Sequence, residues 1–213
     1  LGDDRVVYTL LGYQPQRIST HWVEYELRAA TYARAWAYTQ EGHKFYVLEH
    51  DGGTLVFDFS IGAWHARASW DSAFWRCSGA VEAYGKLLLS DRENGKLYTP
   101  SLDVHTEDGE TIAMEIRLPT IESGRERASM HAFEVLCETG VGNSAATDPQ
   151  IMLTYSDDGG HRWSNEMWRS MGLVGEYRTR AVWRKLGQFR QRQMKLRITD
   201  STRRLVISCF AAI

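Results

Sequence analysis

Between Ile151 and Trp168 the chain spells out a turn residue by residue. Tyr155-Ser156-Asp157-Asp158-Gly159-Gly160-His161-Arg162-Trp163 has the form Ser-x-Asp-x-Gly-x-x-Trp, with an apolar stretch ahead of it. Such a string commits the backbone to doubling back between two antiparallel strands. A short carboxylate, here Asp158, accepts N–H groups of its own turn, and Gly160 supplies a left-handed backbone position. Ser156 sits at the entry of the turn, and Trp163 is expected to pack beneath it as a largely buried ring. Asp157 and Asp158 also invite a calcium loop, but the further oxygen ligands at alternating positions are missing.

This spacing resembles the Asp-box of sialidase-type β-propellers. The box is a turn device, so it argues for fold more than for activity, because sites are grafted onto folds. The rest of the chain agrees with a β reading. Lys44–Leu48 and Thr54–Phe59 flank Asp51-Gly52-Gly53, a hairpin signal because primed turns need left-handed residues. A second turn follows at Ser60-Ile61-Gly62. The unit Gly42-His43-Lys44-Phe45-Tyr46-Val47-Leu48 is echoed by Gly85-Lys86-Leu87-Leu88-Leu89, with Leu87 standing 42 residues after Phe45. A four-stranded propeller blade takes about 40 to 50 residues, and Trp64 resembles the aromatic wedged between such blades.

Two blades cannot close a ring, so a truncated propeller or one completed by further chain is the natural expectation. The opening Leu-Gly-Asp-Asp, without Met, likewise suggests a piece of a longer protein. The one segment with a helical period, Trp22 to Trp36, carries β-type residues and remains ambiguous. The repeat breaks near Asp108-Gly109. Beyond it, strands are predicted at Thr111–Leu118, Met130–Glu138, the Asp-box hairpin, Arg180–Leu186, Gln193–Thr199 and Leu205–Phe210. Pro119–Arg127 and Thr139–Pro149 read as connections. The predicted fold is therefore all-β, with propeller-blade-like repeats over 1–109. A β-sandwich-like region, or further blades, then occupies 110–213.

Composition fits many short strands: aromatic residues and Gly are abundant, while there are only four Pro. Cys77, Cys137 and Cys209 cannot all pair within the chain and follow no metal spacing, so they read as small apolar residues. No apolar run is long enough for a membrane helix. No nucleophile elbow, phosphate loop or His-Glu-x-x-His string is present. The seven His are dispersed, mostly beside turns. No catalytic, metal or cofactor residue is expected, and the chain reads as a non-enzyme.

Charge is distributed more tellingly than its total of −2. Arg178 to Arg204 holds ten basic residues against Asp200, so this segment carries +9 and the remainder −11. Strand alternation points Lys195 and Arg197 away from the apolar face. Arg190 and Arg192 are expected to fork beside them, exposed or near the rim. These four are the candidate interface. Three readings stand: a solvated strand face, docking on an acidic protein surface including another copy's −11 part, or contact with nucleic-acid phosphates.

Several strings then occur in a familiar order: Gln16-Arg17-Ile18-Ser19-Thr20-His21, Gly42-His43-x-Phe45-Tyr46, Gly62-x-Trp64-His65, the Asp-box, Trp183-Arg184-x-Leu186-Gly187 and Leu196-Arg197-Ile198-Thr199-Asp200. Together they resemble the C-terminal half of the packaged-DNA stabilisation proteins of short-tailed bacteriophages, also called tail accessory or hub proteins. The resemblance implies a virion tail part, made in the bacterial host cytoplasm, with no catalytic residue, cofactor or membrane. It implies a ring homo-oligomer, a hexamer in the full-length protein, between a portal-side adaptor and the tail needle and tailspikes. Such a ring helps close the channel and retain DNA. The rivals are a carbohydrate-binding or sialidase-like Asp-box propeller, and a channel-lining protein whose basic strands meet DNA.

Overall fold

The computed structural model describes residues 1–124 and 126–213, which form two compact units, Leu1–Val104 and His105–Ile213. The predicted connection 119–127 includes Arg125, which lies outside the described residues. The expected boundary at 109 falls in the turn of a short hairpin of the second unit.

The first unit opens with the hairpin β1 (Tyr8–Leu11) and β2 (Gln14–Arg17), followed by about two turns of helix, α1 (His21–Leu27). The ambiguous segment thus divides. Val23 and Leu27, four residues apart, bury one face of α1, and Trp36 belongs to the next strand. That strand, β3 (Ala33–Gln40), begins a meander through β4 (His43–His50), β5 (Gly53–Asp58) and β6 (Ala63–Arg67). A three-stranded meander follows: β7 (Cys77–Ala83), β8 (Lys86–Asp91) and β9 (Leu97–Tyr98).

The four-stranded sheet is covered on both faces, which is why every residue of β5 is buried. One face carries Leu48 and Leu55 against Val7, Val23, Leu27 and Ala30. The other carries Tyr38, Val47 and Val56 against Trp75, Ala80 and Leu87. Trp64 lies on the first face and donates to the Ile18 carbonyl at 2.7 Å, so it is not the ring between the two sheets. That place is taken by Trp75, stacked on Trp36 at 5.6 Å.

The β3–β4 and β7–β8 hairpins turn alike, at Glu41-Gly42 and Tyr84-Gly85, with all four residues at positive φ. These glycines stand one residue farther apart than Phe45 and Leu87. A one-residue slip exchanges the two faces of a strand, so the true correspondence pairs Phe45 with Leu88. Among the described residues the two meanders close no ring.

The second unit is a β-sandwich. It starts with the hairpin β10 (Thr106–Glu107) and β11 (Glu110–Thr111). The elements that follow are β12 (Met114–Arg117), β13 (Ile121–Glu122), β14 (Ala128–Ser129), β15 (Ala132–Cys137), β16 (Gln150–Ser156), β17 (Met167–Ser170), β18 (Ala181–Arg184), β19 (Gln188–Phe189), β20 (Gln191–Ile198) and β21 (Val206–Ala212). One sheet runs β12-β20-β16-β17, with β13 also on β20. The other runs β18-β15-β21, and β14 pairs with β19. Between the sheets lie Ile151 and Leu153 of β16, Met194, Leu196 and Ile198 of β20, Phe133 and Val135 of β15, and Trp183 of β18. Among the described residues α1 is the only helix, and no helix is long and apolar enough to cross a membrane.

Candidate interaction surface

The turn after β16 is built from its own side chains. Ser156 Oγ donates to Asp158 Oδ1 at 2.8 Å and accepts the Gly160 N–H at 2.9 Å, while Asp158 Oδ1 accepts the Arg162 N–H at 2.9 Å. The Arg162 amide, then Ser156, hold the Asp158 carboxyl below its ordinary pKa. Gly159 and Gly160 both adopt positive φ. Ser164 closes the loop: its N–H reaches the Tyr155 carbonyl at 2.8 Å and its Oγ accepts the Tyr155 N–H at 3.0 Å.

Trp163 departs from expectation. It is half-buried, and what covers it is the ammonium of Lys195, 4.6 Å from the ring centroid. The ring lies beside the outward face of β20 and has no part in the sandwich core. Lys195, expected at an interface, and Trp163, expected in the turn, thus form one contact.

Arg192 corrects the sequence reading more sharply. Along β20 the buried positions are Arg192, Met194, Leu196 and Ile198, and the outward ones Gln191, Gln193, Lys195 and Arg197. Arg192 therefore points into the unit, with its side chain 1% exposed. Nε and Nη2 donate to the two Asp157 oxygens at 2.6 and 2.7 Å, and Nη1 donates to the Leu186 carbonyl at 2.6 Å. The guanidinium lies over Tyr155 at 4.1 Å and Phe189 at 4.6 Å. A planar, weakly hydrated cation with fixed donors suits such a slot, where an ammonium would not. Asp157 is thereby the anchor of a buried cation, a role its sequence neighbourhood did not announce.

Of the remaining candidates, Arg190 is exposed just ahead of β20, and no fork with Arg192 forms. Arg197 faces outward, 3.7 Å from Glu166 and opposite Glu115 on β12. Lys195 is 3.8 Å from Glu115. Arg180 grips Glu134 with both nitrogens of its fork, Arg203 meets Glu138 at 3.1 Å, and Arg204 donates to the Ile112 carbonyl. Residues distant in sequence supply these acids. Counted by unit, the first holds ten basic and thirteen acidic residues, the second fifteen and fourteen. The +9 block is largely neutralised inside its own unit, and the −11 remainder is not a separate body.

The first unit has a small groove of about 210 Å³, lined by Tyr38, Lys44, Val81, Glu82 and Leu87 among others. Behind it Arg67 lies over Phe45 at 4.9 Å and Trp75 at 4.8 Å, donates to the Tyr38 hydroxyl, and donates to His65 Nε2 at 3.2 Å. Burial, then the nearby Arg67 charge, lower the His65 pKa to about 4.

Comparison with known families bears on the second unit. Residues 113–213 match the family described as Bacteriophage P22 Gp10, beta-sandwich. No curated protein matches the chain. The match supports a structural component of a phage virion tail, and its description agrees with the two-sheet architecture rather than with further propeller blades.

Proposed function

We propose that this chain is a tail-hub segment of a short-tailed phage that acts by protein–protein contact, helps close the portal channel and retains packaged DNA. The observation that carries the proposal is the family match across the β-sandwich, residues 113–213. The side-chain chemistry supports it. Ser156 and Asp158 spend their hydrogen bonds on their own turn, and Arg192 and Asp157 on each other. The polar groups singled out in the sequence thus hold the fold and leave its outer strands to make contacts.

In this reading the partners are further copies of the chain and the neighbouring tail parts: the portal-side adaptor, needle and tailspikes. DNA contact through the basic strands is the weaker option, since acids of the same unit lie within 4 Å of five of those ten cations. The test is to assemble particles without the chain and follow genome protection from nuclease after packaging. Normal packaging followed by DNA loss is the expected result. Full retention would refute the hub role. Glycosidase turnover by the purified chain, abolished by substituting a single carboxylate, would replace it with the enzyme reading.

A further inference from the structure

We propose that the β1–β2 hairpin of one copy adds as an extra strand to β21 of a neighbouring copy. The inference rests on the proposed function above, in which copies of the chain contact one another.

The hairpin is an arm. Among the described residues its strands pair only with each other, and no residue of either strand is buried. Its base is fixed: Val7 is buried, its N–H donates to Ser19 Oγ at 3.1 Å, and its carbonyl accepts the Ile18 N–H at 2.9 Å. The tip carries Leu10, 69% exposed, with Leu11 and Tyr13 also exposed. A lone two-stranded hairpin is marginal in water, so an arm of this kind gains from a partner sheet.

Its two edges are not equivalent. The two-residue turn Gly12-Tyr13 makes Leu11 and Gln14 the hydrogen-bonded pair, so the next pair, Leu10 and Pro15, turn their backbone groups outward. Pro15 has no N–H to offer and blunts the β2 edge. Leu10 has one, which leaves β1 as the edge able to extend a sheet.

β21 is the matching surface. Among the described residues it pairs with β15 alone, and Ser208 to Ala212 hold register without interruption. No charge or Pro occurs from Leu205 to Ile213, so two usual protections of an edge strand are missing, and the bulge at Ile207 lies ahead of the regular stretch from Ser208 to Ala212. Ile207 and Phe210 are 61% and 58% exposed. Unpaired strand backbone calls for another strand. Tyr8–Leu11 is equally uncharged, so joining the two desolvates no charge. Its four residues span about 14 Å at about 3.4 Å each, within the length of β21. A second copy is the occupant because the chain carries both members, and the contact joins two different surfaces. Such heterologous contacts build rings when they close.

The test uses Leu10→Cys and Phe210→Cys chains, both with Cys209→Ser, purified separately, mixed and oxidised. Crosslinked dimer in the mixture, and little in either chain alone, is expected. Dimer from Phe210→Cys alone would show β21 pairing with itself, and no dimer anywhere would show no such contact; either overturns the proposal. In parallel, Leu10→Lys should leave thermal unfolding unchanged while reducing self-association by light scattering. If Leu10→Lys particles hold the chain and their DNA as the parent does, this contact falls and the hub reading stands. If the parent chain is not part of the particle, both fall.

Discussion

Replacing Asp157 with Ala strands a cation in the sandwich interior. Arg192 would lose the two charge-assisted bonds at 2.6 and 2.7 Å and keep only the Leu186 carbonyl and its two ring contacts. Removing one partner of a buried ion pair costs about 3 to 5 kcal/mol. Here Asp157 itself is 40% exposed, so water can fill part of the vacated space. Reducing that range for this exposure gives a loss of about 2 to 4 kcal/mol. In a unit of this size each kcal/mol moves Tm by about 4 °C, giving a fall of about 8 to 16 °C. Arg192→Met behaves differently, because an apolar chain can still lie between Tyr155 and Phe189 while Asp157 turns to solvent. That change should cost less, about 0 to 2 kcal/mol. The double variant should resemble Arg192→Met, so the coupling equals the whole cost of Asp157→Ala, about 2 to 4 kcal/mol. Calorimetry of the four proteins measures all of this. If Asp157→Ala is as stable as the parent, or Arg192→Met is the worse of the two, the buried-cation reasoning is wrong.

Other consequences follow from single residues. Because His65 has its pKa lowered to about 4, the native first unit resists a proton that the unfolded chain accepts below about 6.5. That contribution is complete above pH 6.5 and is lost as pH falls toward 4, so Tm should decline across this window and His65→Gln should flatten the decline. Asp158 has the opposite chemistry but the same direction. Its lowered carboxyl pKa stabilises the turn above the ordinary carboxylate value and ceases to as acid protonates it, and Asp158→Ala should lower Tm at pH 7 and lose that effect in strong acid. A Cβ at Gly53 would sit 2.7 Å from the Ala73 carbonyl oxygen at a φ of 147°, so Gly53→Ala should destabilise the first unit by more than about 1 kcal/mol in urea titration.

The strand pattern was legible because turns announce themselves locally. Asp51-Gly52, Ser60-Ile61-Gly62 and Gly159-Gly160 all lie between strands that pair with each other. The repeat was visible, but its register was off by one, since Leu87, Leu88 and Leu89 are chemically alike and cannot mark which leucine matches Phe45. Arg192 was misread although the signal existed: it shares the parity of Met194, Leu196 and Ile198, and charge outweighed parity in that reading. The neutralisation of the basic block could not be seen at all. Glu115, Glu134 and Glu166 lie far from Lys195, Arg180 and Arg197 in sequence, and only the sheet order brings them together. Trp163 was assigned to a buried position by analogy with the turn motif, whereas here the lid over it is the Lys195 side chain.

The most direct test of the central claim is a cryo-electron map of the phage particle that carries this chain. The account predicts density for the two-sheet unit, residues 105–213, repeated around the tail axis below the portal and touching neighbouring protein subunits. Its absence from the tail, or its presence there as a single copy bound to no other tail protein, would contradict the claim.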